Sequence, residues 1–316
     1  MVRRTLNETK LLRKGGIVIM RSWQSVAFEK LLLLRGTRKR YLDIKLMQEF
    51  IEAKYHATPY ELNSRFQRRN NIQKAQIDEM LYYIINEQPN PKKVIYYFHG
   101  GAYINEPLVF HWRYLVKLAK HTDFTIVVPI YPKLPHANHE DAFHKIHALY
   151  EQLLQQYDAP FIFMGDSAGG GLALAFAQDV KIIGKTKPEQ VVLHSPWLDI
   201  TGQHPDYLKL QEQNIDPLLG VYGAEQLGKL WANVQQLDYY KVSPLYGDLK
   251  DIGRITLFVG TAELLIVDAQ MLLSKANEQG VEIIYFEYPK MNHVFPVFPI
   301  PEAKHAMRKL LLLLMR

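Results

Sequence analysis

Short apolar runs alternate with segments of helical apolar spacing from about residue 92 onward. This alternation predicts parallel strands joined by helices, and several runs are apolar throughout, as strands covered on both faces should be. We therefore expect an α/β fold with a mostly parallel central sheet flanked by helices. The predicted strands are 93–98, 125–129, 161–164, 190–194, 255–259 and 281–285.

Helices are predicted between these strands and at both ends of the chain. Apolar residues recur at helical spacing over 141–157, a second helix follows Asp268 and stops near Gly280, and Pro301 opens the last helix. Two regions, about 1–60 and 202–238, lack the strand pattern. We expect a single domain over 1–316 in which these two regions form a helical cap.

Composition limits the chemistry that the chain can perform. Cysteine is absent, which excludes disulfides, thiol nucleophiles and cysteine-ligated zinc. The first apolar run, 17–20, is too short for a signal peptide, and no apolar block approaches the roughly 20 residues of a membrane span. We therefore expect a cytoplasmic protein without a transmembrane segment.

Positive charge is concentrated at the start of the chain, where residues 1–45 contain twelve Lys or Arg and only three acidic residues. Such a segment is compatible with contact to an anionic membrane surface, although it is more typical of solvated helix faces. No nucleic-acid recognition motif accompanies the charge, so we expect no nucleic-acid partner. The sequence is compatible with a monomer or a homo-oligomer.

The segment Gly165-Asp166-Ser167-Ala168-Gly169 matches the pattern G-x-S-x-G. In this pattern a sharp turn between a strand and a helix lifts the serine hydroxyl clear of the backbone, and the small neighbours prevent crowding. An apolar run precedes the turn and a Gly- and Ala-rich helical segment follows it. These flanks predict that Ser167 is a nucleophile.

A serine nucleophile needs a base to take its proton and an acid to orient the base. Where the serine lies on a strand-to-helix turn of this kind, they follow it along the chain in the order acid, then histidine. His293 follows the last predicted strand, whereas His305 lies inside the last helix. The acid is expected after the strand 255–259, where Glu263 and Asp268 are both available. We favour Glu263, because it is nearer the strand end and Asp268 could instead cap the next helix.

Donors for the negative oxygen of a tetrahedral intermediate are expected next to the first strand. That strand leads into His99-Gly100-Gly101-Ala102-Tyr103, where paired glycines let backbone amides approach a ligand. We predict an oxyanion hole made by the amides of Gly100, Gly101 and Ala168.

At these residues the sequence resembles the hormone-sensitive-lipase branch of the α/β hydrolases, which includes carboxylesterases and acetyl esterases. The resemblance implies hydrolysis of small carboxylic esters through an acyl-enzyme, without a cofactor, beneath a helical cap. Two departures stand out, since Ala102 replaces the usual third glycine and Glu263-Leu264-Leu265 replaces the common Asp-Pro-Leu motif. The shared motifs are His99 to Tyr103, Tyr131-Pro132-Lys133-Leu134-Pro135, Gly165-Asp166-Ser167-Ala168-Gly169-Gly170, Ser195-Pro196-Trp197-Leu198-Asp199 and the loop before His293.

Other interpretations are weaker. Histidines between His136 and His147 lack the H-E-x-x-H spacing of a metal site, and Asp179 occupies the place of a required glycine ahead of Gly184-Lys185-Thr186, so we expect neither metal nor nucleotide. A ligand-binding protein of the same fold without activity is an alternative from another class. Amide or thioester hydrolysis is the nearer alternative, because the same acyl-enzyme chemistry serves it.

Overall fold

A central sheet of eight strands organises the molecule in the computed structural model, which describes residues 21–213, 215–233 and 236–315. The order across the sheet is β1-β2-β4-β3-β5-β6-β7-β8, and every neighbouring pair from β4 to β8 is parallel. The predicted α/β fold is confirmed, and each predicted strand is present. The strands are β1 (Ile72–Ile77), β2 (Met80–Ile85), β3 (Val94–Phe98), β4 (Thr125–Pro129), β5 (Phe161–Asp166), β6 (Gln190–His194), β7 (Arg254–Ala262) and β8 (Ile283–Asn292).

The antiparallel hairpin β1–β2 was not predicted, because strand prediction began near residue 92. Its turn residues, Asp78 and Glu79, both have positive φ, 41° and 67°. A two-residue hairpin turn of this kind usually contains Asn-Gly or Asp-Gly, and the Asp-Glu pair lacks the glycine signal. β2 pairs with β4 and so extends the sheet by two strands.

Helices cover both faces of the sheet. Tyr96 of β3 belongs to a core shared with α6, α7 and α10, whereas its neighbour Tyr97 belongs to a core shared with α5 and α11. This division follows from the alternation of side chains along a strand. The helices are α1 (Trp23–Leu34), α2 (Thr37–Leu42), α3 (Ile44–Tyr55), α4 (Ser64–Arg69), α5 (Val109–Thr122), α6 (His139–Gln156), α7 (Ala168–Ile182), α8 (Pro205–Glu212), α9 (Val221–Ala232), α10 (Ile266–Gln279) and α11 (Pro301–Leu314).

Predicted helix ends agree with the structure where the sequence has a clear signal. Gly280 caps α10 with a φ of 68°, and Pro301 is the first residue of α11. Among the described residues, no helix has the length and apolarity needed to cross a membrane.

The two regions predicted as cap segments contact each other. A Cβ atom on Gly223 of α9 would lie 2.5 Å from Cε of Met47 and 2.6 Å from Cδ1 of Tyr41, so α9 approaches α2 and α3 closely. Helix α1 lies elsewhere, against α11, where the amide of Ser22 donates to Oε1 of Glu302 at 2.7 Å. The part of the predicted cap before residue 21 lies outside the described residues.

Candidate active site

Ser167 lies at the turn between β5 and α7, with φ 53° and ψ −126°. This conformation is unfavourable for a residue with a Cβ atom, and it persists because surrounding structure holds it. The amide of Ser167 donates to the carbonyl of His194, and the amide of Trp197 donates to the carbonyl of Ser167, both at 2.9 Å. A Cβ on Gly165 would lie 2.2 Å from the carbonyl oxygen of Gly169, so the turn requires glycine.

His293 joins the predicted serine to one of the two predicted acids. It follows the last residue of β8, and its Nε2 lies 2.9 Å from Oγ of Ser167. Its Nδ1 lies 2.6 Å from Oε2 of Glu263, which follows the end of β7. All three side chains are buried. The hydroxyl, the imidazole and the carboxylate therefore form one continuous hydrogen-bonded chain.

The carboxylate of Glu263 is held by two further donors. Its Oε1 accepts from the amide of Gly260 at 2.6 Å and from the hydroxyl of Ser195 at 2.8 Å. The Ser195 oxygen in turn accepts from the amide of Val294 at 3.1 Å, so it ties the acid to the loop that carries the histidine. Ser195 was not predicted as a site residue, although it opens one of the motifs shared with esterases.

Burial and charge act in opposite directions on the titration of this pair. Burial raises the pKa of Glu263, and the opposing effects of His293 and the Gly260 amide reduce this increase only in part. Burial alone would lower the pKa of His293, but the hydrogen bond and charge of Glu263 outweigh it and raise that pKa above its usual value. Glu263 therefore stabilises an imidazolium at His293.

Asp268, the alternative acid, is engaged elsewhere. Its Oδ1 accepts from the amides of Leu198 at 2.7 Å and Asp199 at 2.9 Å, and its Oδ2 accepts from the Tyr207 hydroxyl at 2.6 Å. Burial raises the pKa of Asp268 to about 7, although these donors oppose the shift. Asp268 thus fastens the segment after β6 and helix α8 to α10, and His293 contacts Glu263 instead.

The loop after β3 requires a correction to the predicted oxyanion hole. The amide of Gly100 donates to Oδ1 of Asp166 at 3.0 Å, so it is not available to a substrate oxygen. Gly101 and Ala102 both have positive φ, 133° and 54°, and no acceptor within the described protein engages their amides. Ala168 is the first residue of α7, where a helix leaves its amide without an intrahelical partner. The three available amides are therefore those of Gly101, Ala102 and Ala168.

The carboxylate of Asp166 holds the loop after β3 in place. Besides Gly100, it accepts from the hydroxyl of Tyr97 at 2.5 Å and lies 3.0 Å from Nε2 of His111. The amide of Leu108 donates to Nδ1 of His111, so Nε2 carries the proton that Asp166 accepts. Burial opposes ionisation of Asp166, but these partners outweigh it and hold the pKa of the carboxyl below its usual value. His111 has no local sequence signal for this role.

The histidines considered as metal ligands have other partners. Nε2 of His147 lies 2.6 Å from Oδ2 of Asp179, and Nδ1 of His139 lies 3.0 Å from the carbonyl oxygen of Trp231. Over the ranges that the structure describes, no three His, Asp or Glu side chains are grouped to hold a metal ion.

Comparison with known proteins places this geometry in a family. A family model described as alpha/beta hydrolase fold matches residues 95–297. An esterase of Acinetobacter venetianus is 31% identical over 229 residues, which cover 71% of this chain and 75% of that protein. An acetyl-hydrolase of Streptomyces hygroscopicus is 27% identical over 220 residues, with 68% and 72% covered.

Solved structures agree with the sequence relatives. A Staphylococcus aureus protein assigned as an esterase superposes with a TM-score of 0.79 at 29% identity, covering 85% of this chain and 92% of that one. An esterase of the bacterial hormone-sensitive lipase family has the same fold, with a TM-score of 0.72 at 24% identity over 84% of this chain and 94% of that one. The chain therefore belongs to the α/β-hydrolase family and is a carboxylic ester hydrolase.

Proposed function

We propose that Ser167, His293 and Glu263 hydrolyse the ester through an acyl-enzyme. The observation that carries the proposal is the position of His293, whose two ring nitrogens contact the hydroxyl and the carboxylate at 2.9 Å and 2.6 Å. A serine hydroxyl is a weak nucleophile until a neighbouring base accepts its proton, and this contact supports that transfer.

In the proposed reaction, Oγ of Ser167 attacks the ester carbonyl carbon while Nε2 of His293 accepts the hydroxyl proton. Glu263 stabilises the resulting imidazolium through Nδ1. The tetrahedral intermediate collapses, the carbon–oxygen bond to the leaving group breaks, and His293 returns its proton to the alcohol. Water then attacks the acyl-enzyme with the same base, which releases the carboxylic acid and restores the serine.

We assign the oxyanion hole to the amides of Gly101, Ala102 and Ala168. Amides fixed in advance at the point where negative charge develops commonly contribute about 3 kcal/mol each to lowering the barrier. The positive φ angles of Gly101 and Ala102 support this assignment. Replacement of a glycine by Ala102 keeps the backbone donor.

The substrate class that we propose is a small ester with a short acyl chain. A cavity of about 30 Å³ lies between the cap helices and the body, which is room for about one water or a methyl-sized group. Its lining includes Trp197, whose amide bonds the Ser167 carbonyl, and Leu264, which follows Glu263, so the cavity lies beside the proposed triad and is not lined by Ser167 or His293 themselves. The relative named acetyl-hydrolase supports a short acyl group as well.

We further propose that regions 1–60 and 202–238 form a cap over the site and that the protein is cytoplasmic. The cap is supported by the cavity lining, to which α8 and α9 contribute Tyr207, Val221 and Ala224. The location is supported by the absence of cysteine, which makes the fold independent of an oxidising compartment.

A p-nitrophenyl ester series tests the mechanism and the substrate class together. Ser167→Ala should abolish turnover of p-nitrophenyl acetate, while Ser274→Ala, at an exposed serine of α10, should leave it unchanged. Among acetate, butyrate and octanoate esters, kcat/KM of the unmodified protein should be lowest for octanoate. Retained turnover in Ser167→Ala would refute the mechanism, and a preference for octanoate would refute the short-chain assignment alone.

A further inference from the structure

Helix α1 has apolar side chains on two opposite faces. Its inner face packs on the body, where Leu32 is buried and the ring of Phe28 lies 4.7 Å from that of Phe298 between centroids. Its outer face carries a second stripe at helical spacing, in which Trp23 is 75% exposed and Leu34 is 84% exposed. We call this the outer face of α1, and its exposed apolar members are Trp23, Val26, Leu31, Leu33 and Leu34.

The inner face of α1 contacts the loop that carries the histidine of the site. The hydroxyl of Ser25 lies 3.7 Å from Sδ of Met291, two residues before His293. Since a helix with its side chains is about 10 Å across, the outer face lies roughly one helix diameter from that loop. Whatever covers the outer face is therefore close to the catalytic segment.

Positive charge surrounds the outer face. Lys30, Arg35 and Lys39 are exposed, and no carboxylate among the described residues lies within ion-pair distance of any of them. A helix with Trp and Leu on one side and Lys or Arg beside them is typical of binding within the interface of an anionic bilayer. The same charge disfavours two other occupants. A second copy of the chain would bring like charges together. Residues 1–20 would do the same if they covered this face, because they contain five Lys or Arg against one acid.

We propose that the outer face of α1 docks the protein on an anionic membrane surface. Trp23 and the leucines enter the boundary between headgroups and acyl chains, and the neighbouring cations face the lipid headgroups. Docking in this way holds the His293 loop next to the region where apolar esters accumulate. The proposal concerns binding and stands apart from the assignment of the catalytic residues.

Tryptophan fluorescence of the full-length chain tests the proposal directly. Three of the four tryptophans, Trp112, Trp197 and Trp231, are buried, so Trp23 reports on any new apolar contact. Vesicles containing phosphatidylglycerol should shift the emission to shorter wavelength and should sediment the protein, with both effects weakened by added salt. Vesicles of phosphatidylcholine alone should do neither.

Substitutions then locate the surface. Leu31→Gln combined with Leu34→Gln should weaken binding to anionic vesicles at least tenfold and leave hydrolysis of p-nitrophenyl acetate unchanged, which shows that the variant is folded. Ile182→Gln, at a 63% exposed position of α7 on the opposite face of the sheet, is the matched control and should bind normally. The proposal would be overturned by equal binding to neutral vesicles, by unchanged binding of the double variant, or by no binding of the unmodified protein. Each of these results would count against it in a monomer and in a dimer alike.

Discussion

In the proposed mechanism the imidazole of His293 must be neutral to accept the proton of Ser167, so its pKa sets the acid limb of activity. Glu263 raises this pKa above its usual value of 6.5 despite burial. Activity should therefore be present at high pH and be lost as pH falls through a midpoint above 6.5. A pH profile of kcat/KM with p-nitrophenyl acetate measures this midpoint, and a midpoint clearly below 6.5 would contradict the assignment of Glu263.

Paired substitutions separate the two acids. Glu263→Gln removes the charge that stabilises the imidazolium, so kcat should fall by about 10³–10⁴-fold and the acid limb should move to lower pH. Asp268→Asn should retain the midpoint of the unmodified protein, because Asp268 bonds Leu198, Asp199 and Tyr207 instead of His293. A shifted midpoint in Asp268→Asn with a normal one in Glu263→Gln would reverse the assignment.

Single residues differ in how far the sequence predicts them. Ser167 and His293 could be predicted because the fold imposes their order along the chain and each follows a strand. The role of Asp166 in holding the loop after β3 could not be predicted, because the G-x-S-x-G pattern allows any residue there and tertiary packing brings its partner His111 to it. The same limit explains the error at Gly100, because the bond that occupies its amide comes from a residue 66 positions away.

Close approach between helices explains why α9 contains Gly223. A larger side chain there would clash with Met47 and Tyr41, so Gly223→Val should separate α9 from α2 and α3. Overpacking of this kind costs about 1–3 kcal/mol. Urea denaturation should show the loss, whereas Lys229→Val, at an exposed position of the same helix, should change stability far less. Equal stability of the two variants would mean that the helices do not pack in this way.

Strands and helices could be predicted where their pattern of apolar residues is regular. The strands β3 to β7 are buried runs of the kind that sheets covered on both faces produce, and β8 begins with an apolar run. The helices α6, α10 and α11 have clear apolar spacing or end signals. In the hairpin β1–β2, β2 is a buried apolar run, but β1 is mostly exposed or partly buried and the turn between them contains no glycine, so the pair has no hairpin signal. The contact between the two regions predicted as cap segments was not predicted either, because most strands of the sheet lie between them along the chain.

Across the whole molecule, buried neutral histidines should make the fold sensitive to acid. Burial lowers the pKa of His194 to about 4, and burial also lowers the pKa of His99. Above pH 6.5 neither the folded nor the unfolded state binds these protons. As pH falls from 6.5 toward 4, the unfolded state binds these protons first. Protonation of His194 alone should therefore lower the free energy of unfolding by up to about 3 kcal/mol.

Urea denaturation at pH 7 and pH 4.5 checks this expectation. His194→Gln should lose less stability between the two pH values than the unmodified protein does, whereas His121→Gln, at an exposed histidine, should lose the same amount. Contributions from His293 and Glu263 are common to all three proteins and cancel in the comparison. An identical loss in His194→Gln would show that this histidine does not titrate as described.

We propose that Ser167 forms a covalent acyl-enzyme, and an organophosphate that reacts with an activated serine tests this. Diethyl p-nitrophenyl phosphate should transfer its diethylphosphoryl group to Oγ of Ser167 and release p-nitrophenol. Peptide mass mapping during inactivation should find one modified residue, Ser167, in proportion to the activity lost. Complete inactivation with Ser167 unmodified, or full activity with Ser167 modified, would show that Ser167 is not the nucleophile.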